Sequence, residues 1–339
     1  MTIPTSVRRY AGRILFVIAV CLSVLLVVRV LYASSGEIVS IMSGNGRIEF
    51  AALAVLLLFV NQILCISRWR MLGIAAGIEL GFREVIDIAV FSECASFVLP
   101  SANGGDVLKI TAFSQRPETL IRIAVVTLTD RLAGLFGLLL LAGVAGVATS
   151  GAQTSAPRLA GLAAIVLLLV GVCGLFVLAG RTGGWGLSTS SRMSRFVGHL
   201  VGEVSLACQL FQSRKRVMFA ALALSMISQM CVLSAMYLLL LGIVPGSPVT
   251  WTESLSLFPW VLVSTALPLP GGALGVSENV SESLFQALGQ SGGGLTCLAY
   301  RVAFAAATLL TAVIWLAVRR HVGPADGPRN AVFERGMKS

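Results

Sequence analysis

The sequence predicts an all-α polytopic membrane protein, with about six transmembrane helices and two re-entrant broken-helix hairpins arranged as inverted repeats. Three observations predict it. The 339 residues are 56% apolar and only 12% charged, with a mean hydropathy of +0.90, whereas a soluble domain carries roughly 25% charged residues. Six apolar stretches, residues 14–33, 49–66, 123–148, 159–180, 217–242 and 298–318, are each long enough to cross a hydrocarbon core of ~30 Å as helix. Two further apolar regions, residues 85–114 and 254–288, are each interrupted by proline and paired glycines.

In chain order, the stretch 14–33 follows Arg8, Arg9 and Arg13 and lacks a small-residue cleavage site, so it reads as a retained span. After the span 49–66, the piece 85–99 has 15 residues and ends in Leu99-Pro100-Ser101-Ala102-Asn103-Gly104-Gly105-Asp106. In the second half, the piece 254–267 has 14 residues and ends in Leu267-Pro268-Leu269-Pro270-Gly271-Gly272. At about 1.5 Å rise per residue each reaches ~22 Å, short of a crossing, so each is expected to enter and leave by one side. Hydrocarbon offers no water to a broken helix, and freed backbone groups are tolerated only where they line a protein cavity. A matched pair of broken segments in two halves points to the binding site of a transporter. The spans 123–148 and 159–180 follow the first break, with Gly134, Gly137, Gly143 and Gly146 at helical spacing for close packing. Residues 181–216 read as a cytoplasmic connector, and 1–320 as a single transmembrane domain without a soluble catalytic domain at either end. Residues 321–339, with Pro324, Gly327 and Pro328, are expected to form a disordered cytoplasmic tail.

Charge placement sets the topology. With the N-terminus in the cytoplasm, twenty of the 25 Lys and Arg fall on the cytoplasmic side, Arg68 and Lys109 among them. Only Arg47 and Arg158 fall outside, while Arg29, Arg131 and Arg301 lie within spans. This is the positive-inside pattern of a cell (inner or plasma) membrane protein with both termini in the cytoplasm. The net charge of +10 is therefore topology and attraction to anionic lipid rather than nucleic-acid binding. The seven cysteines form no C-x-x-C pair, and His199 and His321 lie far from acidic clusters, so neither metal nor cofactor is expected. There is no Walker sequence, so any driving force comes from ion or lipid gradients.

The halves repeat. Phe50-Ala51-Ala52-Leu53-Ala54 recurs as Phe219-Ala220-Ala221-Leu222-Ala223, and Gly73-Ile74 as Gly242-Ile243, both offset by 169. Arg131 and Arg301 follow the two breaks at an offset of 170. The repeats run from about 49 to 148 and from about 217 to 318. Starting on opposite sides, they are inverted and give a protein able to open to either side.

Charges inside a membrane are costly and usually functional. Glu93, Asp106, Asp130, Glu278 and Glu282 fall at membrane depth or at the breaks, with Lys109, Arg131 and Arg301 nearby. Each has a plain structural alternative: interfacial placement for Asp130, Arg131 and Glu282, snorkelling for Lys109, a tight turn for each Gly-Gly. Pro100 ends its half-helix, and Asn103 or Ser101 supplies the cap of the next one. That new helix presents unpaired N–H groups and a positive dipole end. Gly104 and Gly105 leave room for an anion directly on the backbone. Pro268, Pro270, Gly271, Gly272 and Gly275, followed by Ser277 and Glu278, repeat the device. The expected site binds a phosphate between two helix N-termini and Arg131 or Arg301, while Glu93, Glu278 and Glu282 gate it or couple protons. No catalytic residue is assigned.

Arg68-Trp69, Leu99-Pro100 with Gly104-Gly105-Asp106 and Lys109, Asp130-Arg131, and Leu267-Pro268…Pro270-Gly271-Gly272-x-x-Gly275-x-x-Glu278 together resemble the lysylphosphatidylglycerol synthase transmembrane region, the flippase part of the multiple peptide resistance factor. The resemblance covers about residues 10–320. It implies a stand-alone lipid translocator, without the synthase domain. The cargo would be a phospholipid, an aminoacyl-phospholipid or a lipid-linked glycan. It also implies a soluble aminoacyl- or glycosyltransferase as a partner. Asp130 and Lys109 stand where relatives are expected to carry Glu and Arg, and Lys109 lacks the bidentate fork of arginine. Two alternatives stand beside the translocator: a membrane-embedded transferase using Asp106 with Glu278, and a non-transporting membrane partner of a soluble synthase.

Overall fold

The architecture follows from long apolar helices that alternate with short ones. A computed structural model describes residues 48–78, 81–96, 104–111, 117–148, 156–181, 214–266 and 276–319. Among the described residues there are nine helices. In the first half these are α1 (Ile48–Ala75), α2 (Phe82–Ser96), α3 (Gly104–Thr111) and α4 (Pro117–Ala148), followed by α5 (Ala156–Arg181). The second half contributes α6 (Lys215–Ile243), α7 (Trp251–Ala266), α8 (Val276–Gln286) and α9 (Gly293–Arg319). Four are long and apolar enough to cross a membrane: α1, α6, α9 and the Arg122–Ala148 part of α4. The span expected at 14–33, most of the connector, the tail and both breaks lie outside the described residues.

Local sequence accounts for the helix ends. Thr250 and Glu253 form a capping box at the start of α7: the Thr250 hydroxyl accepts from the Glu253 amide at 3.3 Å, and the Glu253 carboxylate accepts from the Thr250 amide at 2.8 Å. Pro117 opens α4, where its missing N–H costs nothing. Gly77 ends α1 with φ of 75°. The Gly77 amide donates to Ile74 and the Ile78 amide to Gly73, at 3.1 and 3.0 Å, the double bond of a Schellman stop that only glycine enters without strain. Gly289 ends α8 in the same way, with φ of 70°.

The spine of the bundle is α1 against α6. Phe50 packs over Gly242 at one end and Arg68 reaches Ser225 at the other, so the two helices run antiparallel. Ala54, Leu58, Val232, Ala235 and Leu239 fill the seam, with Ala303 and Ala307 of α9. The principal helix contacts among the described residues of the repeats have their counterparts when α1, α2, α3 and α4 are exchanged for α6, α7, α8 and α9. The pair α4–α6 matches α9–α1, α4–α7 matches α9–α2, and α2–α3 matches α7–α8. In the second half Phe258 of α7 stacks on Phe285 of α8, ring centroids 5.8 Å apart. These residues lie eight and nine positions from the ends that flank the break, so α8 runs back along α7. The far end of α9 is tied to α2, where the Trp315 indole donates to Asp87 at 2.8 Å and Arg319 pairs with the same carboxylate at 3.2 Å.

Helix α5 lies against α4 and α7. The glycines expected to pack do so: a Cβ on Gly161 would fall 2.5 Å from the Gly146 Cα, and one on Gly143 would fall 2.7 Å from Ile165. Gly134 faces Gln229 and Arg68 at an ordinary 3.6–3.7 Å. We therefore expect Gly161→Leu to destabilise the detergent-solubilised protein by about 1–3 kcal/mol through overpacking, with Gly134→Ala close to neutral. Thermal unfolding of the two variants checks this, and equal transitions would contradict it.

Candidate functional site

Six charged side chains of the first half gather where α1, α2, α3 and α4 meet. Helix α1 continues well past residue 66, which carries Arg68 into the bundle at 4% exposure. Arg68 and Arg70 are two positions apart and so point about 200° away from each other on a helix; one of them had to turn inward. The Arg68 guanidinium meets Asp130 of α4 fork to fork, with Nε–Oδ1 at 2.6 Å and Nη2–Oδ2 at 3.1 Å. Its Nη1 donates to Ser225 Oγ of α6 at 2.6 Å. One side chain thereby ties three helices.

Beside this pair runs a chain of alternating charge. Glu93 of α2 meets Lys109 of α3 at 3.4 Å, Lys109 meets Asp106 at 3.6 Å, and Asp106 meets Arg131 of α4 at 2.7 Å. The Lys109 ammonium is largely buried among its carboxylates. The outer ends of the chain are its most open members: the Arg131 side chain is 53% exposed and Glu93 30%. Gly105 has a packing role. A Cβ there would sit 2.5 Å from the Ser92 carbonyl oxygen, so the glycine lets α3 approach α2. Gly104 is the first residue of α3. Pro100, Asn103, Pro268, Pro270, Gly271, Gly272 and Gly275 lie outside the described residues.

The second half holds the equivalent of one of these pairs. Arg301 of α9 meets Glu278 of α8 with Nε–Oε1 at 2.8 Å and donates from Nη2 to Ser277 Oγ at 2.6 Å. The Ser277 hydroxyl donates in turn to Glu278 at 3.1 Å. In both halves an acid in the first turn of the short helix after the break pairs with the arginine of the next long helix. Glu282 stands apart from this cluster: its carboxylate accepts from the Gly294 amide at 2.9 Å and caps the start of α9. The halves also differ. The positions equivalent to Arg68 and Asp130, at offsets of 169 and 170, are Tyr237 and Tyr300, which pack on an apolar cluster that includes Leu233, Met236, Phe258 and Phe285.

Sequence reasoning missed the polar stripe of α1. Asn61, Gln62, Cys65 and Arg68 recur at helical spacing on an otherwise apolar helix, and that spacing was the available signal. Ser228 donates to Asn61 at 2.5 Å and contacts Cys65 at 3.4 Å. Gln62 donates to Thr308 at 2.7 Å and accepts from Thr311 at 2.8 Å, both on α9.

Fold and site together define a multi-pass helical membrane protein of two like halves, with an arginine–carboxylate pair following the break in each. Residues 13–317 match the family described as the lysylphosphatidylglycerol synthase TM region, and the chain belongs to that family. A search of the curated proteins gave no match. Removing one partner of a buried ion pair leaves an uncompensated charge and costs about 3–5 kcal/mol. Asp130→Asn is therefore expected to lower stability by that order, and Glu282→Gln by about 1 kcal/mol as a lost cap. Chemical unfolding in detergent checks the ranking, which an equal loss in both variants would refute.

Proposed function

We propose that this chain moves a phosphate-bearing membrane lipid between leaflets, by alternating access between two re-entrant hairpins, α2–α3 and α7–α8. The observation that carries this reading is the recurrence of one pair, acid after the break with arginine on the next long helix, in two halves whose spine helices run antiparallel. An antiparallel spine places the repeats upside down relative to each other, so that whatever one half presents to one side the other presents to the opposite side. In this reading both termini face the cytoplasm and the protein resides in the cell membrane.

The headgroup phosphate takes the guanidinium of Arg131 or Arg301, which releases Asp106 or Glu278. The charge-assisted fork of arginine suits two phosphate oxygens at once. The short helices α3 and α8 begin at the breaks, so their first N–H groups and dipole ends add to the attraction for an anion. The acyl chains stay in the bilayer throughout. Ser277 holds Arg301 and Glu278 in register, and Ser225 with Asp130 fixes the wall formed by Arg68.

The test is a leaflet-exposure assay in proteoliposomes with phosphatidylglycerol labelled on an acyl chain. Wild-type protein is expected to move the label, and Glu278→Gln to lower the rate at least about tenfold while eluting as a folded protein on gel filtration. A tenfold loss corresponds to ~1.4 kcal/mol at the barrier. Wild-type protein that moves no lipid would overturn the reading, and equal movement by the variant would remove Glu278 from it.

A further inference from the structure

The cations around the first break are already spoken for. Arg68, Lys109 and Arg131 stand against Asp130, Asp106 and Glu93, three positive and three negative groups within one set of contacts. The second half balances in the same way, Arg301 against Glu278. Among the described residues, an anion that enters such a site finds no net positive side-chain charge to offset it. Whether the phosphate displaces Asp106 from Arg131 or adds to the exposed side of the guanidinium, the cluster is left with one negative charge in excess. In a half-buried site that excess is costly.

Resting on the lipid-translocator reading, we propose that an anionic lipid enters this site together with one proton, which Glu93 takes up. With Arg131 committed to phosphate, Glu93 and Asp106 share the single ammonium of Lys109. Asp106 lies on the same helix as Lys109, one turn away, and keeps it. Glu93 reaches Lys109 only across from α2, at 3.4 Å, and is the more open carboxylate of the two, so water can deliver a proton to it. Lys109 of α3 is in contact with Glu93 and is shared with Asp106; Arg131 of α4, Cys65 of α1, Tyr300 of α9 and the neighbouring Cys94 of α2 lie within electrostatic range of it. Lys109 and Arg131 are the cations in this set, and each already has a carboxylate partner. The added proton balances the added phosphate charge, so the loaded site is as neutral as the empty one. A lipid that brings its own cation in the headgroup needs no such proton.

The complex then holds one more proton than its separated parts, so affinity is highest in acid and falls as pH rises, by about tenfold per pH unit where the coupling is complete. The experiment is binding of acyl-chain-labelled phosphatidylglycerol to the full chain in neutral detergent, from about pH 5 to about pH 9, beside phosphatidylcholine labelled alike. Expected are a slope approaching tenfold per unit for wild type with phosphatidylglycerol, and no slope with phosphatidylcholine. Glu93→Gln, neutral in advance, is expected to bind phosphatidylglycerol with the same affinity at every pH. A wild type that binds phosphatidylglycerol without pH dependence overturns the proton and leaves the translocator standing. A slope that survives in Glu93→Gln overturns the assignment to Glu93. Failure to bind either lipid at any pH, with no lipid movement in vesicles, overturns the translocator reading and this proposal with it.

Discussion

The contact between α1 and α6 is the one on which the remaining architecture depends. These helices are equivalent members of the two halves, yet they run antiparallel, from Phe50 on Gly242 to Arg68 on Ser225. Apolar packing alone does not hold helices together in lipid, where the surroundings are as apolar as the side chains. The seam is accordingly laced with polar groups: Asn61 and Cys65 on Ser228, Arg68 on Ser225, Gln62 across to Thr308 and Thr311. Such interhelical bonds contribute on the order of 0.6–2 kcal/mol each. Once the spine is set, α4 lies on α6 and α9 on α1, so each half closes over the first helix of the other. The halves are interlocked rather than merely adjacent.

That interlocking explains where the charges sit. Arg68 would be prohibitive in the bundle without Asp130, and Asp130 comes from α4 just where α4 crosses between the spine helices. The attraction between unit charges a few ångström apart grows as the dielectric constant falls, which makes the pair rigid. The chain from Glu93 to Arg131 is built on looser terms. Its members are joined singly, at distances from 2.7 to 3.6 Å, and its ends open outward. One set of charges fixes helices, while the other stands ready to exchange partners.

Much of this was legible in the residues. The spans at 49–66, 123–148, 159–180, 217–242 and 298–318 each lie within a helix, and the 169-residue offset reappears within one residue in the boundaries of α2 and α7. Asp106, Arg131, Glu278 and Arg301 were picked out because charge in an apolar setting is conspicuous, and they pair within their halves. That Arg68 and Lys109 turn inward onto carboxylates was not legible, because a charge count along the chain assigns sides by segment and cannot see which way a helix face turns. The packing role of Gly105 was not legible, because a glycine that admits a ligand and one that admits another helix look alike in sequence; the position of Ser92 shows that this one admits a helix. The uncharged stripe from Asn61 to Cys65 gave a weaker signal than any ionised group and was passed over.

The tyrosines at 237 and 300 carry a last consequence. In the proposed translocator reading, two identical halves would relate the inward-facing and outward-facing arrangements by a twofold rotation and make them equal in energy. In this chain one half bears Arg68 and Asp130, and the other bears two aromatic rings in their place. The degeneracy is gone. In that reading, a duplicated protein that has diverged at its centre has a default posture, out of which cargo and surroundings lift it on every cycle.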